Sequence, residues 1–227
     1  MNEDISTDVN NTSSNKSSDK SELAFKIFIS GIKRAENLLR INVDSDENIL
    51  TITDEKLLDS YRAVVVLSIS ALDAYIKTFL IVKIRKSLTE KILSTDLKKY
   101  IKEELFSKEE LHQVILENSF YDKVIEKFDS DFEKRSFQGR KSIDKFMKLA
   151  GFNQVFKQIA NSADKSIDNL LRSIEDYTQR RHLIVHCGDH DLTQTELTEN
   201  NIEKTDASKC VELVKLIANE IHKISQS

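Results

Sequence analysis

Residues 177–189 read YTQRRHLIVHCGD. Two adjacent arginines, Arg180 and Arg181, and two histidines four apart, His182 and His186, stand around a short apolar run ahead of Gly188. An arginine presents a rigid fork of donors that matches a phosphate or a carboxylate. A histidine titrates near neutrality, as general acid–base work requires. Together these residues could hold an anion and move a proton beside it. A plainer role also fits them, because cationic side chains followed by Gly are ordinary signals of a helix end.

Such chemistry needs a helix to position it, and the spacing predicts one over 166–186. At about 100° per residue, Ile167, Leu170, Leu171, Ile174, Thr178 and Val185 fall on one apolar stripe. Arg181 falls inside that stripe and Arg180 on the opposite, solvent side. An inward guanidinium requires an anionic or hydrogen-bonding partner. Asp73, in the middle of the most apolar helix, is the internal candidate; a phosphate in a cleft is the external one. His182 and His186 stack on one flank of the stripe, and Gly188 should end the helix. Tyr177 and Asp189, at the two ends of the stretch, are supporting candidates.

The rest of the chain reads as further helices. Residues 1–20 are Ser-, Asn-, Asp- and Lys-rich and predict a disordered tail. A helix is expected from Ser21, with Leu23, Ile27, Ile32, Ala35, Leu38 and Leu39 at helical spacing. A linker, NVDSDENILTIT, then leads to Asp54, a candidate N-cap for a long central helix. Residues 87–135 are charged and interrupted, a possible insertion, with SLTE (Ser87, Glu90) and SKEE (Ser107, Glu110) reading as capping boxes. SIDKFMKLAG ends at Gly151, a plausible helix stop, and short and long helices follow up to the terminal ASKCVELVKLIANEIHKI. The predicted class is all-α: one antiparallel bundle over 21–227.

Composition narrows the functions. The 227 residues include no Pro, 4 Gly and no Trp, and the net charge is −4. A non-specific nucleic-acid binder is usually basic, so contact with RNA or DNA here requires a local patch. The most basic stretch, KRSFQGRKSIDKFMK, offers one through Lys134, Arg135, Arg140, Lys141, Lys145 and Lys148; it also fits a merely solvated helix face. Two cysteines, Cys187 and Cys210, do not make a disulfide framework and predict a reducing, cytoplasmic setting. No signal peptide opens the chain. The uncharged core of the apolar run, 63–72, falls short of the roughly 20 residues that span a bilayer, so no membrane association is expected. A metal cluster of His182, His186, His190, Cys187, Asp189 and Asp191 is disfavoured, because Gly188 should break the helix before His190. Cys187 is a poor nucleophile candidate at a helix C-terminus, and Cys210 fits the core. No cofactor is implied. The phenylalanines fall at helical spacings and read as core. His112 and His222 stand isolated.

RRHLIVH resembles the motif of HEPN domains: Arg, a polar residue, three more residues, then His. In this chain those are Arg181, His182, LIV and His186. YRAVVVLSISALDAYIKTFL resembles the early core helix of such domains, with Asp73 where an acidic residue is common. FQGRKSIDKFMKLAGF and the 177–189 stretch resemble the RiboL-PSP-type subgroup, and the likeness covers most of 55–225. The resemblance implies a metal-independent endoribonuclease, or a relative that binds RNA or nucleotides without cleaving. It also implies a homodimer with two motifs facing one cleft, and a role as a toxin or antiviral effector with an antitoxin or defence partner. RNA carries its own nucleophile, the 2′-OH, so cleavage needs a base, an acid and stabilisation of phosphorane charge. Arg181 would clamp the phosphate, His186 would transfer protons, and His182 would assist. Arg180, Arg135, Arg140, Lys141 and Lys145 would track the RNA backbone. Arg181 and His186 lie about 140° apart around the helix and roughly 7.5 Å along it. One helix therefore converges them poorly, and a second copy would complete the site. The third reading is a plain helical interaction protein, with Arg181 tied to Asp73 and the histidines capping the helix.

Overall fold

The computed structural model describes residues 12–40, 54–117, 119–191, 193 and 198–226. Its helices are α1 (Thr12–Leu39), α2 (Asp54–Thr89), α3 (Thr95–Tyr100), α4 (Lys108–Leu116), α5 (Phe120–Glu133), α6 (Arg140–Leu149), α7 (Val155–Ser162), α8 (Ile167–Cys187) and α9 (Lys204–Ile224). The class is all-α, as the spacing predicts. The α1 helix opens upstream of the expected start at Ser21; residues 1–11 of the expected tail, and the linker at 42–53, lie outside the described residues.

The α2 helix organises the bundle. Tyr75 and Ile84 are both fully buried, and at about 100° per residue they lie on opposite sides of the helix, so helices must pack around it on several sides. By length and composition α2 could cross a bilayer, but these residues are packed against protein. Against α1 it runs antiparallel: Gly31 lies at Ala71, and the Phe28 and Tyr75 rings are 5.8 Å apart. A Cβ added to Gly31 would stand 2.9 Å from the Ala71 Cβ, so the two backbones approach as closely as the missing methyl allows. The α9 helix runs parallel to α2, with Lys83 Nζ donating to Ser225 O at 3.3 Å. The α8 helix runs against α2.

Local signals explain most of the breaks. Ser94 caps α3, its Oγ accepting from Leu97 N at 3.0 Å. The chain then widens into a π turn over Ile101–Leu105. Ser107 and Glu110 form the expected capping box on α4. Ser87 does not cap a helix: α2 continues through it, because Leu88 is fully buried and holds the last turn in the core. After α6, Gly151 adopts φ 91°, with Gly151 N donating to Lys148 O and Phe152 N to Met147 O, the paired bonds of a left-handed helix stop. Phe128, Phe132, Phe137 and Phe146 pack ring on ring, the closest pair 3.9 Å apart, so this part of 87–135 shares the common core.

Candidate active site

Ser166 caps the start of α8, and Gly188 (φ 59°) and Asp189 (φ 61°) turn its end through two left-handed residues. Gly adopts that geometry freely, and Asp is one of the few side chains that tolerate it. Asp189 N donates to Leu183 O at 3.0 Å, closing the last turn. The chain then pairs His190 with Glu199 in an antiparallel bridge. Asn200 donates to Asp189 O from both its backbone and its side chain, at 2.8 Å each.

The Asp189 carboxylate is 0% exposed. Its Oδ2 accepts from Arg62 Nε at 2.9 Å and from Arg180 Nη2 at 2.7 Å. Arg62, on α2 and 9% exposed, also meets Asp59 at 3.2 Å and Glu199 at 2.8 Å. Burial opposes the Arg62 charge, but Asp189, Glu199 and Asp59 outweigh it and hold the guanidinium above its ordinary pKa. Arg180 Nη2 further donates to the carbonyls of Asn200 and Asn201, at 3.2 and 3.0 Å.

This corrects the wheel. Arg180 is not a solvent-side charge available to RNA; its long side chain folds back onto the corner that follows α8, which a straight wheel omits. The expected Arg181–Asp73 pair is not made among the described residues; the anion at the helix end is Asp189, and it meets Arg62 and Arg180. The Asp73 carboxylate instead accepts the Phe137 backbone N–H and tethers the α5–α6 loop to α2. Arg62 is the residue that the sequence reading missed.

Arg181 is half-buried, and its Nε is shielded from solvent with no hydrogen-bond partner among the described residues. Within one helix end, then, Arg180 is committed and Arg181, among the described residues, is not. His182 and His186 are exposed, with ring centroids 4.6 Å apart. Tyr177 is tied elsewhere: its hydroxyl donates to Asp206 O at 3.0 Å, and burial pushes its pKa up to about 12. It joins α8 to α9 rather than facing the histidines. Asp189 Oδ1, Arg180 Nε and His190 Nδ1 are also buried without partners among the described residues, so such polar atoms gather at this corner. Cys187 is half-buried, and Cys210 is core, burial pushing its pKa up to about 12. Among the described residues no group of three or more His, Cys, Asp or Glu is arranged to hold a metal.

The basic stretch lies beside this site. Thr178 Oγ1 donates to Gln138 O at 3.0 Å, which places the start of α6 one helical turn from Arg181. Arg140 and Lys141 are exposed there. They line a cleft of about 510 Å³ between α3 and α6, with Lys145, Lys148, Glu104 and Asp144. Lys145 meets Glu104 at 2.5 Å, and Arg135 meets Asp131 at 2.6 Å, its guanidinium 5.1 Å from the Phe146 ring centroid. Arg135 and Lys145 are thus locally paired. On the other side of the corner a shallow groove of about 500 Å³ runs between α2 and α8, floored by Ala63, Val66, Leu67 and Ile184. Val185, expected inside, is 45% exposed; in this turn it is Ile184 that faces α2.

Among curated proteins and solved structures nothing matches this chain. A family model described as RiboL-PSP-HEPN matches residues 32–224, a span that includes α2, the corner and both histidines. With most of its length matched, and with an Arg181–His186 pair at the end of a late helix, the chain belongs to the RiboL-PSP-HEPN family.

Proposed function

We propose that this chain is a metal-independent endoribonuclease, acting in the cytoplasm as a homodimer. The observation that carries the reading is Arg181, whose Nε has no partner among the described residues: beside it Arg62 and Arg180 are both drawn to Asp189, and its fork is left for a phosphate. The substrate's 2′-oxygen attacks the adjacent phosphorus while a histidine takes its proton. The bond to the 5′-oxygen breaks, that oxygen is protonated, and the products are a 2′,3′-cyclic phosphate and a 5′-hydroxyl. Arg181 stabilises the charge that accumulates on the phosphorane. His186 is the principal proton carrier, with His182 beside it.

The exposed imidazoles, the exposed Val185 and the apolar groove all lie at one end of α8. A second copy docked on this face would supply the opposing Arg181 and His186 that one helix cannot converge. Arg140 and Lys141, one turn from Arg181, extend the phosphate track. Family membership supports a role as a toxin or defence effector, held in check by a partner protein; growth arrest on expression is the check on that role.

A non-catalytic RNA- or nucleotide-binding reading is favoured by one observation: within the described residues neither His182 nor His186 has a hydrogen-bonded partner that orients its ring. One experiment decides between the two. The purified chain is incubated with total RNA in EDTA and the product ends are mapped. Cyclic-phosphate ends that disappear in Arg181→Ala and in His186→Ala, with fold and dimer retained, support the nuclease. Binding without cleavage supports the alternative.

A further inference from the structure

The Arg62 side chain bridges three parts of the chain. From α2 it reaches Asp59 on its own helix, Asp189 at the corner after α8, and Glu199 with Asn200 O on the far side of the bridge. The corner needs such a tie. Asp189 sits in left-handed geometry, which few non-glycine residues adopt without support from their surroundings. The carbonyls of the last turn of α8 have no following helix to bond to, and the turn is closed chiefly through Leu183 O, which accepts from the Gly188 and Asp189 N–H groups. His186 lies in that turn. Arg181 lies upstream of it, next to Thr178, which is anchored to Gln138 O.

We propose that Arg62 is a positioning residue for the ribonuclease reaction: through Asp189 it holds the end of α8 and so sets the attitude of His186. The inference rests on the nuclease reading above. Through the same Oδ2 it also shares in retaining Arg180, which leaves Arg181 alone to meet substrate. Releasing the corner frays the last turn. That displaces His186 and spares Arg181, so the loss falls on the chemical step and not on substrate binding.

The test uses the full chain, an RNA oligonucleotide and the NMR signal of the His186 ring Cε1–H. Arg62→Gln should lower kcat by about tenfold to a hundredfold, the scale of a small misplacement of a catalytic group, while KM stays within about twofold. The His186 signal should move. Arg62→Lys keeps the charge beside buried Asp189 and gives up the fork, so it should fold and recover part of the lost kcat. Arg181→Ala, which abolishes cleavage, should differ by weakening RNA binding measured directly, a binding that Arg62→Gln leaves within about twofold. Unchanged kcat with an unmoved His186 signal overturns the proposal, as does a KM that rises in step with the fall in kcat. If the parent chain cleaves no RNA, the nuclease reading fails; the His186 signal in Arg62→Gln then still shows whether Arg62 governs the helix end, and an unmoved signal overturns that too.

Discussion

The 134–148 stretch and the end of α8 are both rich in cations, but their counter-charges sit in different places. In the first, Arg135 and Lys145 meet Asp131 and Glu104 near the surface, and Arg140 and Lys141 remain exposed. At the end of α8 the counter-charge is Asp189, wholly buried and shared by Arg62 and Arg180. Surface pairs are screened and individually weak. A buried carboxylate must be satisfied or the local structure fails. Charge density alone therefore does not mark the site; the informative pattern is a buried anion that claims some arginines and leaves one.

Removing the anion gives the largest expected effect. Asp189→Ala should cost about 3–5 kcal/mol in denaturant unfolding, the usual penalty of stranding a buried partner, whereas Glu104→Ala should cost under about 1 kcal/mol. Equal losses would erase the distinction between the two regions. The adjacent arginines should separate next. Arg180→Ala should lose roughly 1.5–3 kcal/mol, the value of hydrogen bonds to a charged group. Arg181→Ala should stay within about 0.5 kcal/mol of the parent, even as cleavage is lost.

A smaller effect concerns the open stretch. Arg140→Glu and Lys141→Glu should weaken RNA binding and flatten its dependence on log salt by about 0.7 for each phosphate no longer neutralised; an unchanged slope assigns the stretch to solvation alone. The smallest effect is at Asp144. Burial raises its pKa, with Arg140 and Lys148 opposing. A carboxyl whose folded pKa is raised detracts from stability above its unfolded pKa, and the deficit vanishes as pH falls below it. Asp144→Asn should therefore stabilise the fold at pH 7 by under about 1 kcal/mol after screening, with no difference near pH 3.

Helix phase and helix ends were legible because each leaves a local mark. The apolar spacing placed α8, Gly188 and Gly151 stopped helices, and Ser107 with Glu110 started one. What stayed hidden depends on chain path. Arg62 reads as an ordinary charge at the head of an apolar run; only the corner at Gly188 and Asp189 brings it to α8, across 127 positions. A wheel misplaces Arg180 for the same reason, since it carries no information about a turn that follows the helix. Ser87 fits a capping pattern, but the burial of Leu88 prolongs α2 past it. Asp73 stands out as an acid in an apolar helix, yet its partner is a backbone N–H from a loop and not Arg181, and no side-chain pattern announces that.

The close approach of α1 and α2 at Gly31 and Ala71 bears on how relatives of this chain can diverge. Alanine at position 31 would favour the helix by up to about 1 kcal/mol, but its methyl would stand 2.9 Å from that of Ala71. Each residue is small on account of the other. A carbon gained at one position is therefore tolerated when a carbon is given up at the other, and the pair should drift as a unit. Distant members of the lineage can preserve this helix crossing while sharing neither residue.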